Sequence, residues 1–404
     1  MKFHIFNPEN DLALADGNAN YFAPSAAMSI AHDLATLPLW FAAPEDTVIL
    51  PSLEHTVYRN SMAEHFDIPS AYSCAFQNDI TEVAPWGWSR QIQRRLQVMG
   101  FDEWLLPGNE TVDRIREMSN RRTAITILEK LSQRGVDTPP MPCYFTKPED
   151  VANFINSRDR CVVKAPWSGS GKGIAWGIGR VEPPMENFYT GIIRRQGGVV
   201  CEHFLEKEVE FAMEFRAGAN GVSFAGYSLF TSFKGVYSGN ILATDSDIED
   251  FIGSYIPKEQ LHNVRRELCE ILTTLFIPVG YTGFMGIDMM IYNVNGKHRL
   301  NPCMELNLRM NMGMVARRIF DTRIAPSAKG VYKVMFFKNK GEALEMHDDY
   351  NARYGLRIVD DRIENGYINF NPVTPDTRYV AFAIIGDDAQ NVGSLYFNRQ
   401  DRPV

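Results

Sequence analysis

The 404-residue chain lacks an excess of basic charge, closely spaced cysteines and long apolar segments, and each absence excludes a class of protein. With 49 acidic and 41 basic residues the net charge is −8, which argues against nucleic acid or an anionic membrane as a partner. None of the six cysteines forms a Cys-x-x-Cys pair, so neither a zinc site nor a disulfide framework is expected. The most apolar stretch, residues 275–291, is interrupted by a proline, three glycines and an aspartate, so it predicts a buried strand. The N-terminus does not resemble a signal peptide, and the sequence predicts a cytoplasmic protein without membrane contact.

The order of apolar patterns along the chain predicts its organisation. Short apolar runs alternate with helical patterns through residues 1–115, which is typical of a small α/β domain. Pro107 and Gly108 favour a boundary shortly after them. In residues 258–276 aliphatic side chains recur at helical spacing, so a half-buried helix is expected there.

A glycine-rich loop follows an apolar strand that ends in Lys164. The loop reads Ala-Pro-Trp-Ser-Gly-Ser-Gly-Lys-Gly over residues 165–173, and such loops let backbone N–H groups approach phosphate oxygens. It is not a Walker A motif, since Pro166 and Gly173 occupy positions that need glycine and Ser or Thr. The alternative is an ordinary surface loop. Lys164 favours phosphate binding, because a lysine in a buried strand needs an anionic partner.

A second polar pattern lies on a predicted hairpin. Asn295-Gly296 is a strong two-residue turn signal. That turn predicts a register that places Asp288 opposite Cys303, with Glu305 diagonal to Asp288 and Asn307 on the same face. Two carboxylates and one amide suit Mg²⁺. The alternative is a solvated polar face of an antiparallel hairpin.

Together these motifs resemble the ATP-grasp superfamily over about residues 110–325. The Glu-x-Asn-x-Arg pattern at 305–309 is similar to that of biotin carboxylase and of carnosine-synthase-like ligases. The resemblance implies an α/β and α+β fold, with a small N-terminal α/β domain followed by a two-subdomain ATP-grasp fold. The implied segments are 1–115, 116–198 with the glycine-rich loop, 199–325 with the metal site, and an extension, 326–404, that packs on the core. One departure leaves the subfamily open, because Gly286 stands where several peptide ligases have an arginine.

The resemblance also implies a role for each matching residue. The α- and β-phosphates of ATP would contact Arg121 and Lys164, and the loop would cover the γ-phosphate through Ser168, Gly169, Ser170, Gly171 and Gly173. The adenine hinge would comprise Glu202, His203 and Leu205, and the ribose would contact Glu210, with Glu208 as the alternative. The metal would be held by Asp288, Glu305 and Asn307. The catalytic cations would be Arg309 and Lys172.

The implied reaction is an ATP- and Mg²⁺-dependent ligation, with Mn²⁺ as the alternative metal, that joins a small carboxylate to an amine through an acyl phosphate. Two alternatives stay open: a small-molecule kinase, and a non-catalytic nucleotide-binding protein on the same fold. The expected partners are the two small-molecule substrates, with a homodimer left open and no nucleic acid. Residues 7–11 follow the first strand, where α/β domains often bind ligands, although a turn with capping side chains explains them equally well.

Overall fold

The computed structural model describes residues 1–169, 173–233 and 236–386 of the chain. Its N-terminal region is built on a parallel sheet of four strands in the order β3-β2-β1-β4. The strands are β1 (Lys2–Ile5), β2 (Thr47–Val48), β3 (Ser70–Ala71) and β4 (Glu82–Pro85). The helices are α1 (Asn10–Asp16), α2 (Ser25–Asp33), α3 (Leu53–Met62), α4 (Arg90–Val98) and α5 (Asn109–Met118). Because the strands are parallel, the residues that follow β1 and β4 meet at one edge of the sheet.

The next region has a smaller, antiparallel sheet in the order β5-β8-β6-β7. Its strands are β5 (Cys143–Phe145), β6 (Cys161–Lys164), β7 (Ile174–Gly177) and β8 (Val199–His203). Its helices are α6 (Arg122–Gln133), α7 (Pro148–Asn156) and α8 (Pro183–Gln196). The glycine-rich loop therefore connects two adjacent strands, β6 and β7.

The largest sheet is antiparallel and has nine strands within the described residues, in the order β13-β12-β9-β10-β11-β14-β17-β16-β15. They are β9 (Glu206–Gly218), β10 (Gly221–Phe233), β11 (Val236–Leu242), β12 (Gly283–Val294), β13 (Lys297–Asn307), β14 (Gly330–Phe336), β15 (Arg357–Val359), β16 (Arg362–Asn369) and β17 (Tyr379–Ile385). Its helices are α9 (Asp245–Gly253), α10 (Lys258–Phe276), α11 (Met312–Arg323) and α12 (Glu342–Arg353). The last four strands thus continue the sheet through the pairing of β14 with β11.

The two faces of this sheet differ because side chains alternate along each strand. Phe211, Met213 and Phe215 of β9 are fully buried, and they belong to the apolar core that also contains the aliphatic side chains of α10. The predicted helix over 258–276 is confirmed with the same limits. On β9 the opposite face carries Glu210 and Glu214, and we call the part of this face formed by β9, β12 and β13 the polar face. No helix among the described residues is long and apolar enough to cross a membrane.

A second apolar core holds the N-terminal region against the large sheet. It joins residues of the first 86 positions to α11 and to strands β11, β14, β16 and β17. Trp40 Nε1 donates to the backbone oxygen of Phe370 at 3.1 Å, and Tyr58 OH donates to that of Asn369 at 2.7 Å. Near the end of β13, Met310 N donates to Trp86 O at 2.8 Å. These contacts bring the start of α1 close to the polar face.

Candidate functional site

The strand lysine has an anionic partner, as its position in an apolar strand requires. Lys164 ends β6 and is 6 % exposed, and its Nζ lies 2.7 Å from Glu202 Oε2 on the neighbouring strand β8. An isolated ammonium group in this position would be strongly destabilising, so the pair stabilises both charges where the glycine-rich loop begins. Two predicted nucleotide ligands, Lys164 and Glu202, are therefore in direct contact.

Arg121 connects the glycine-rich loop to the predicted metal site. It precedes α6, and its Nη1 donates to Ala165 O at 2.7 Å and to Ser168 Oγ at 2.6 Å. Its Nη2 donates to both carboxylate oxygens of Glu305, at 2.9 and 3.0 Å. The side chain is almost fully buried. One guanidinium group thus fixes the loop and the edge strand of the polar face relative to each other.

The loop itself depends on glycine where it returns to the sheet. Gly173 has a φ of 80°, and a Cβ there would lie 2.8 Å from the Cβ of Ser168. At the other end, a Cβ on Gly169 would lie 2.7 Å from Asp11 Oδ2, so the loop packs against α1. Three predicted site residues, Ser170, Gly171 and Lys172, lie outside the described residues.

The predicted hinge residues do not all point towards the same space. His203 ends β8, and its ring accepts a hydrogen bond from Arg158 Nε at 3.3 Å, on the side of α7. Burial, together with Arg158, lowers the pKa of His203. Leu205 lies in the two-residue connection between β8 and β9. Only the backbone of His203 is therefore suited to a hinge, since its side chain is used in packing.

On the polar face, the hairpin register agrees with the Asn-Gly turn for five residue pairs and then shifts. The pairs run from Val294 with Lys297 to Met290 with Asn301, but Asp288 lies directly opposite Glu305. The prediction that Asp288 faces Cys303 is therefore wrong. Pro302 has no N–H for the strand ladder, and residues 302–304 form a bulge opposite Met289, where Cys303 N donates to Asn301 Oδ1 at 3.2 Å. Because the shift is two residues, the predicted face is kept, and the two carboxylates are closer than expected.

Asp288, Glu305 and Asn307 form a set that fits a divalent cation, and we call these three residues the metal set. Partial removal from water and the facing Glu305 raise the pKa of Asp288 to about 7, while a hydrogen bond from Asn307 and the nearby Arg309 oppose the rise. Two adjacent carboxylates are mutually repulsive unless a cation lies between them. Among the described residues no group of three or more His, Cys, Asp or Glu side chains is arranged to hold a metal. Two carboxylates and one amide oxygen suit an ion such as Mg²⁺, which keeps waters and phosphate oxygens as its other ligands.

Glu210 lies farther along the polar face and is held by its own neighbours. Its carboxylate lies 2.8 Å from Lys207 Nζ and accepts a hydrogen bond from Ser232 Oγ on β10. It faces Met290 across the pairing of β9 with β12, two residues from Asp288. The predicted ribose ligand and the predicted metal ligands therefore share one face.

Arg309 lies just beyond β13 and binds a residue of the N-terminal region. Its Nε donates to Asp11 Oδ1 at 2.7 Å and its Nη2 donates to Asp11 Oδ2 at 2.6 Å. Burial alone would lower the pKa of Arg309, but Asp11 and the carboxylates of the metal set raise it. The guanidinium group is therefore a permanent cation next to the metal set, positioned from the opposite side by α1.

Sequence reasoning missed Glu214, which faces Gly286 on the polar face. It is 1 % exposed and accepts a hydrogen bond from Asn311 Nδ2 at 2.8 Å. A Cβ on Gly286 would lie 2.7 Å from Glu214 Oε2, and one on Gly313 would lie 2.5 Å from its Oε1. Burial and the nearby Asp288 raise the pKa of Glu214 to about 8, although Asn311 and Arg309 oppose the rise. The even-numbered glutamates of β9 were the available sequence signal.

Comparison with known proteins places this arrangement in a known fold. No family model matches the sequence, and no curated protein matches it significantly. Among solved structures, N5-carboxyaminoimidazole ribonucleotide synthetase from Thermus thermophilus is 14% identical, with a TM-score of 0.51 and full coverage of both chains. The N5-carboxyaminoimidazole synthetase of Staphylococcus aureus, solved with ADP, is 12% identical over 98% of this chain and 96% of its own, with a TM-score of 0.50.

A third similar structure is the biotin carboxylase domain of the Hydrogenobacter thermophilus 2-oxoglutarate carboxylase. It was solved as a dimer with MgADP, ADP and bicarbonate, and it is 12% identical over 95% of this chain and 86% of its own, with a TM-score of 0.51. Such low identities establish the fold alone. The predicted α/β and α+β architecture is confirmed, and the chain has the fold shared by these synthetases and this biotin carboxylase domain.

Proposed function

We propose that this protein is an ATP- and Mg²⁺-dependent ligase that joins a small carboxylate to an amine. The observation that carries the proposal is the pair of facing carboxylates, Asp288 and Glu305, with Arg121 bound to Glu305 and Arg309 close to Asp288. Lys164 adds a third cation where the glycine-rich loop begins. The similar Staphylococcus and Hydrogenobacter structures contain ADP, and the latter also contains magnesium and bicarbonate. A nucleotide with magnesium suits a site of this charge pattern.

On this proposal the chain has the four segments expected from the sequence, 1–115, 116–198, 199–325 and 326–404. ATP lies between the small sheet and the polar face. Arg121 and Lys164 contact its phosphates, and the loop covers them. In this arrangement Arg121 would bind a phosphate in place of Glu305, and Glu305 would then be free to hold the metal. The residues between β8 and β9 contact adenine, and Glu210 contacts the ribose.

The proposed chemistry needs positioning and charge neutralisation rather than a protein nucleophile. A carboxylate oxygen of the substrate attacks the γ-phosphorus, the bond to the bridging oxygen breaks, and ADP leaves. The amine then attacks the carbonyl carbon of the acyl phosphate, phosphate leaves and the amine nitrogen loses a proton. Arg309 stabilises the negative charge that forms near the carbonyl. Bound Mg²⁺ supplies charge neutralisation at the phosphates, held by Asp288, Glu305 and Asn307.

The compartment and the assembly are also part of the proposal. The six cysteines are all unpaired in the structure, which supports a reducing compartment such as the cytoplasm. The dimer named for the Hydrogenobacter domain makes a homodimer the assembly to test first.

Hydroxylamine trapping tests this function without knowledge of the amine. The protein is incubated with ATP, Mg²⁺, hydroxylamine and single carboxylic acids, and both hydroxamate and ADP are measured. A ligase gives equal amounts of the two products, whereas a kinase that phosphorylates a hydroxyl group gives ADP and a stable phosphate ester without hydroxamate. Glu305→Gln is expected to remove at least about 99% of the turnover, as loss of a group that stabilises phosphoryl transfer does. Exposed Glu45→Gln is the matched control. Unchanged turnover in Glu305→Gln, with Glu45→Gln also active, contradicts the proposal.

A further inference from the structure

A cavity lies where the N-terminal region meets the polar face. Its wall is formed by the start of α1, by residues 166–168 of the glycine-rich loop and by the residues at the end of β13. Charged and amide side chains dominate the part next to the metal set, namely Asn10, Asp11, Asn307 and Arg309. The cavity is therefore continuous with the proposed site of phosphoryl transfer, and it contains groups that the proposed function has not used.

Asn10 is the first of these groups. It is 1 % exposed and lines the cavity, yet neither its Oδ1 nor its Nδ2 has a hydrogen-bond partner. Both amide atoms of the nearby Asn7, in contrast, have partners. Its Nδ2 donates to Gly87 O at 2.9 Å, and its Oδ1 accepts from Gly87 N. A buried amide without partners is destabilising by about 1–3 kcal/mol. A side chain kept in that state on a cavity wall indicates a ligand that satisfies it.

The pair of Asp11 and Arg309 is the second. Two hydrogen bonds join the carboxylate to the guanidinium group, and both side chains are still partly accessible from the cavity. A ligand that carries one positive and one negative group can replace each partner by its own opposite charge, without adding net charge to the buried site. A ligand that carries only a carboxylate leaves Asp11 without a cation.

The position of Asp11 limits how far apart those two charges are. Its Oδ2 lies against Gly169 of the loop, and Arg309 lies two residues beyond the metal ligand Asn307. A ligand carboxylate bound to Arg309 is thus next to the proposed γ-phosphate. A cationic group of the same ligand, bound to Asp11, is separated from that carboxylate by only a few covalent bonds. An α-amino acid has this spacing, because its ammonium and carboxylate groups share one carbon atom.

We propose that the carboxylate substrate is an α-amino acid, bound with its carboxylate on Arg309, its α-ammonium group on Asp11 and its remaining polar contacts on Asn10. This inference rests on the proposed ligase function. Asp11 holds the α-amine in its protonated form, so this nitrogen has no lone pair with which to attack the acyl phosphate. A separate amine forms the new C–N bond as the C–O bond to phosphate breaks, and its displaced proton goes to solvent.

The test uses hydroxylamine trapping with α-amino acids, with the α-hydroxy acids of the same side chains, and with bicarbonate. For the amino acid that is accepted, kcat/KM is expected to exceed that of its hydroxy analogue by about 10- to 100-fold, the value of a charge-assisted hydrogen bond. Asp11→Asn is expected to remove this discrimination and to raise the KM for the amino acid, while the KM for ATP stays the same. Asp16→Asn, at the exposed end of the same helix, is the matched control.

Loss of folding in Asp11→Asn does not prevent the test, because Asn10→Ala leaves the ion pair intact. It is expected to raise the KM for the amino acid without changing that for ATP. Equal turnover of amino and hydroxy acids, or turnover of bicarbonate alone, overturns the inference while leaving the ligase function in place. If no acid gives ADP, thermal shifts decide: stabilisation of the wild type by an amino acid, lost in Asn10→Ala, supports the site, and no stabilisation by any amino acid refutes it.

Discussion

Replacement of Glu214 by glutamine is expected to change how the stability of the protein depends on pH. The carboxyl group is enclosed by Gly286, Gly313 and Asn311, with Asp288 and Arg309 as the charged groups nearby. Burial raises its pKa to about 8 from 4.5 for a free glutamate. The folded chain therefore keeps Glu214 protonated at neutral pH, and glutamine is a close mimic of that form.

The sign of the effect follows from proton binding. Between the two pKa values the folded state binds one more proton at Glu214 than the unfolded state. The contribution of Glu214 to the free energy of unfolding is therefore complete below pH 4.5, and it is lost as the pH rises through about 8. The loss is about 1.4 kcal/mol per pH unit over that window, and roughly 5 kcal/mol in all as an upper limit. Glutamine cannot ionise, so the free energy of unfolding of Glu214→Gln, relative to the wild type, is expected to rise steadily with pH.

The assay is urea unfolding of both proteins in EDTA at several values between pH 5 and pH 9. Every other titrating group is common to the two proteins, so the difference between their unfolding free energies isolates Glu214. Glu45→Gln, on the exposed surface, is expected to run parallel to the wild type. A difference in unfolding free energy between Glu214→Gln and wild type that does not change with pH would falsify the claim that Glu214 is buried in its neutral form. A difference that falls with pH would indicate an ionised Glu214 held by a cation.

Two further substitutions test the site. Lys164→Met is expected to weaken ATP binding by about tenfold or more, and to destabilise the fold because Glu202 loses its partner. In the double variant Lys164→Met, Glu202→Gln, urea unfolding should show that stability recovers. Calorimetry should show that ATP binding does not. Gly286→Ala places a methyl group 2.5 Å from Asn311 Nδ2, so a loss of about 1–3 kcal/mol in unfolding free energy is expected. Gly218 has open space around it, so Gly218→Ala should change the unfolding free energy little. Equal losses in the two variants would refute the claim that the site around Gly286 is crowded.

The sequence was sufficient for the parts of the site that depend on local pattern. The Asn-Gly turn determined which residues of β12 and β13 share a face, because side chains alternate strictly along a strand. Lys164 could be assigned an anionic partner because a charge in an apolar strand is costly to bury. The register beyond Asn301 could not be predicted, since the position and width of a bulge depend on how Pro302 avoids the ladder. The face was still correct, because a shift by two residues restores the alternation.

The contacts that define the cavity could not be predicted from the sequence, for a different reason. Asp11 and Arg309 are separated by 298 positions, and nothing in either segment specifies the other. Their meeting depends on the apolar core that joins the N-terminal region to α11 and the last strands, and on the backbone bond from Met310 to Trp86. That core is formed by side chains from segments that lie far apart in the sequence. A motif therefore identifies the groups that we propose act on ATP, which lie on neighbouring strands. The groups that we propose select the acid are brought together by tertiary structure.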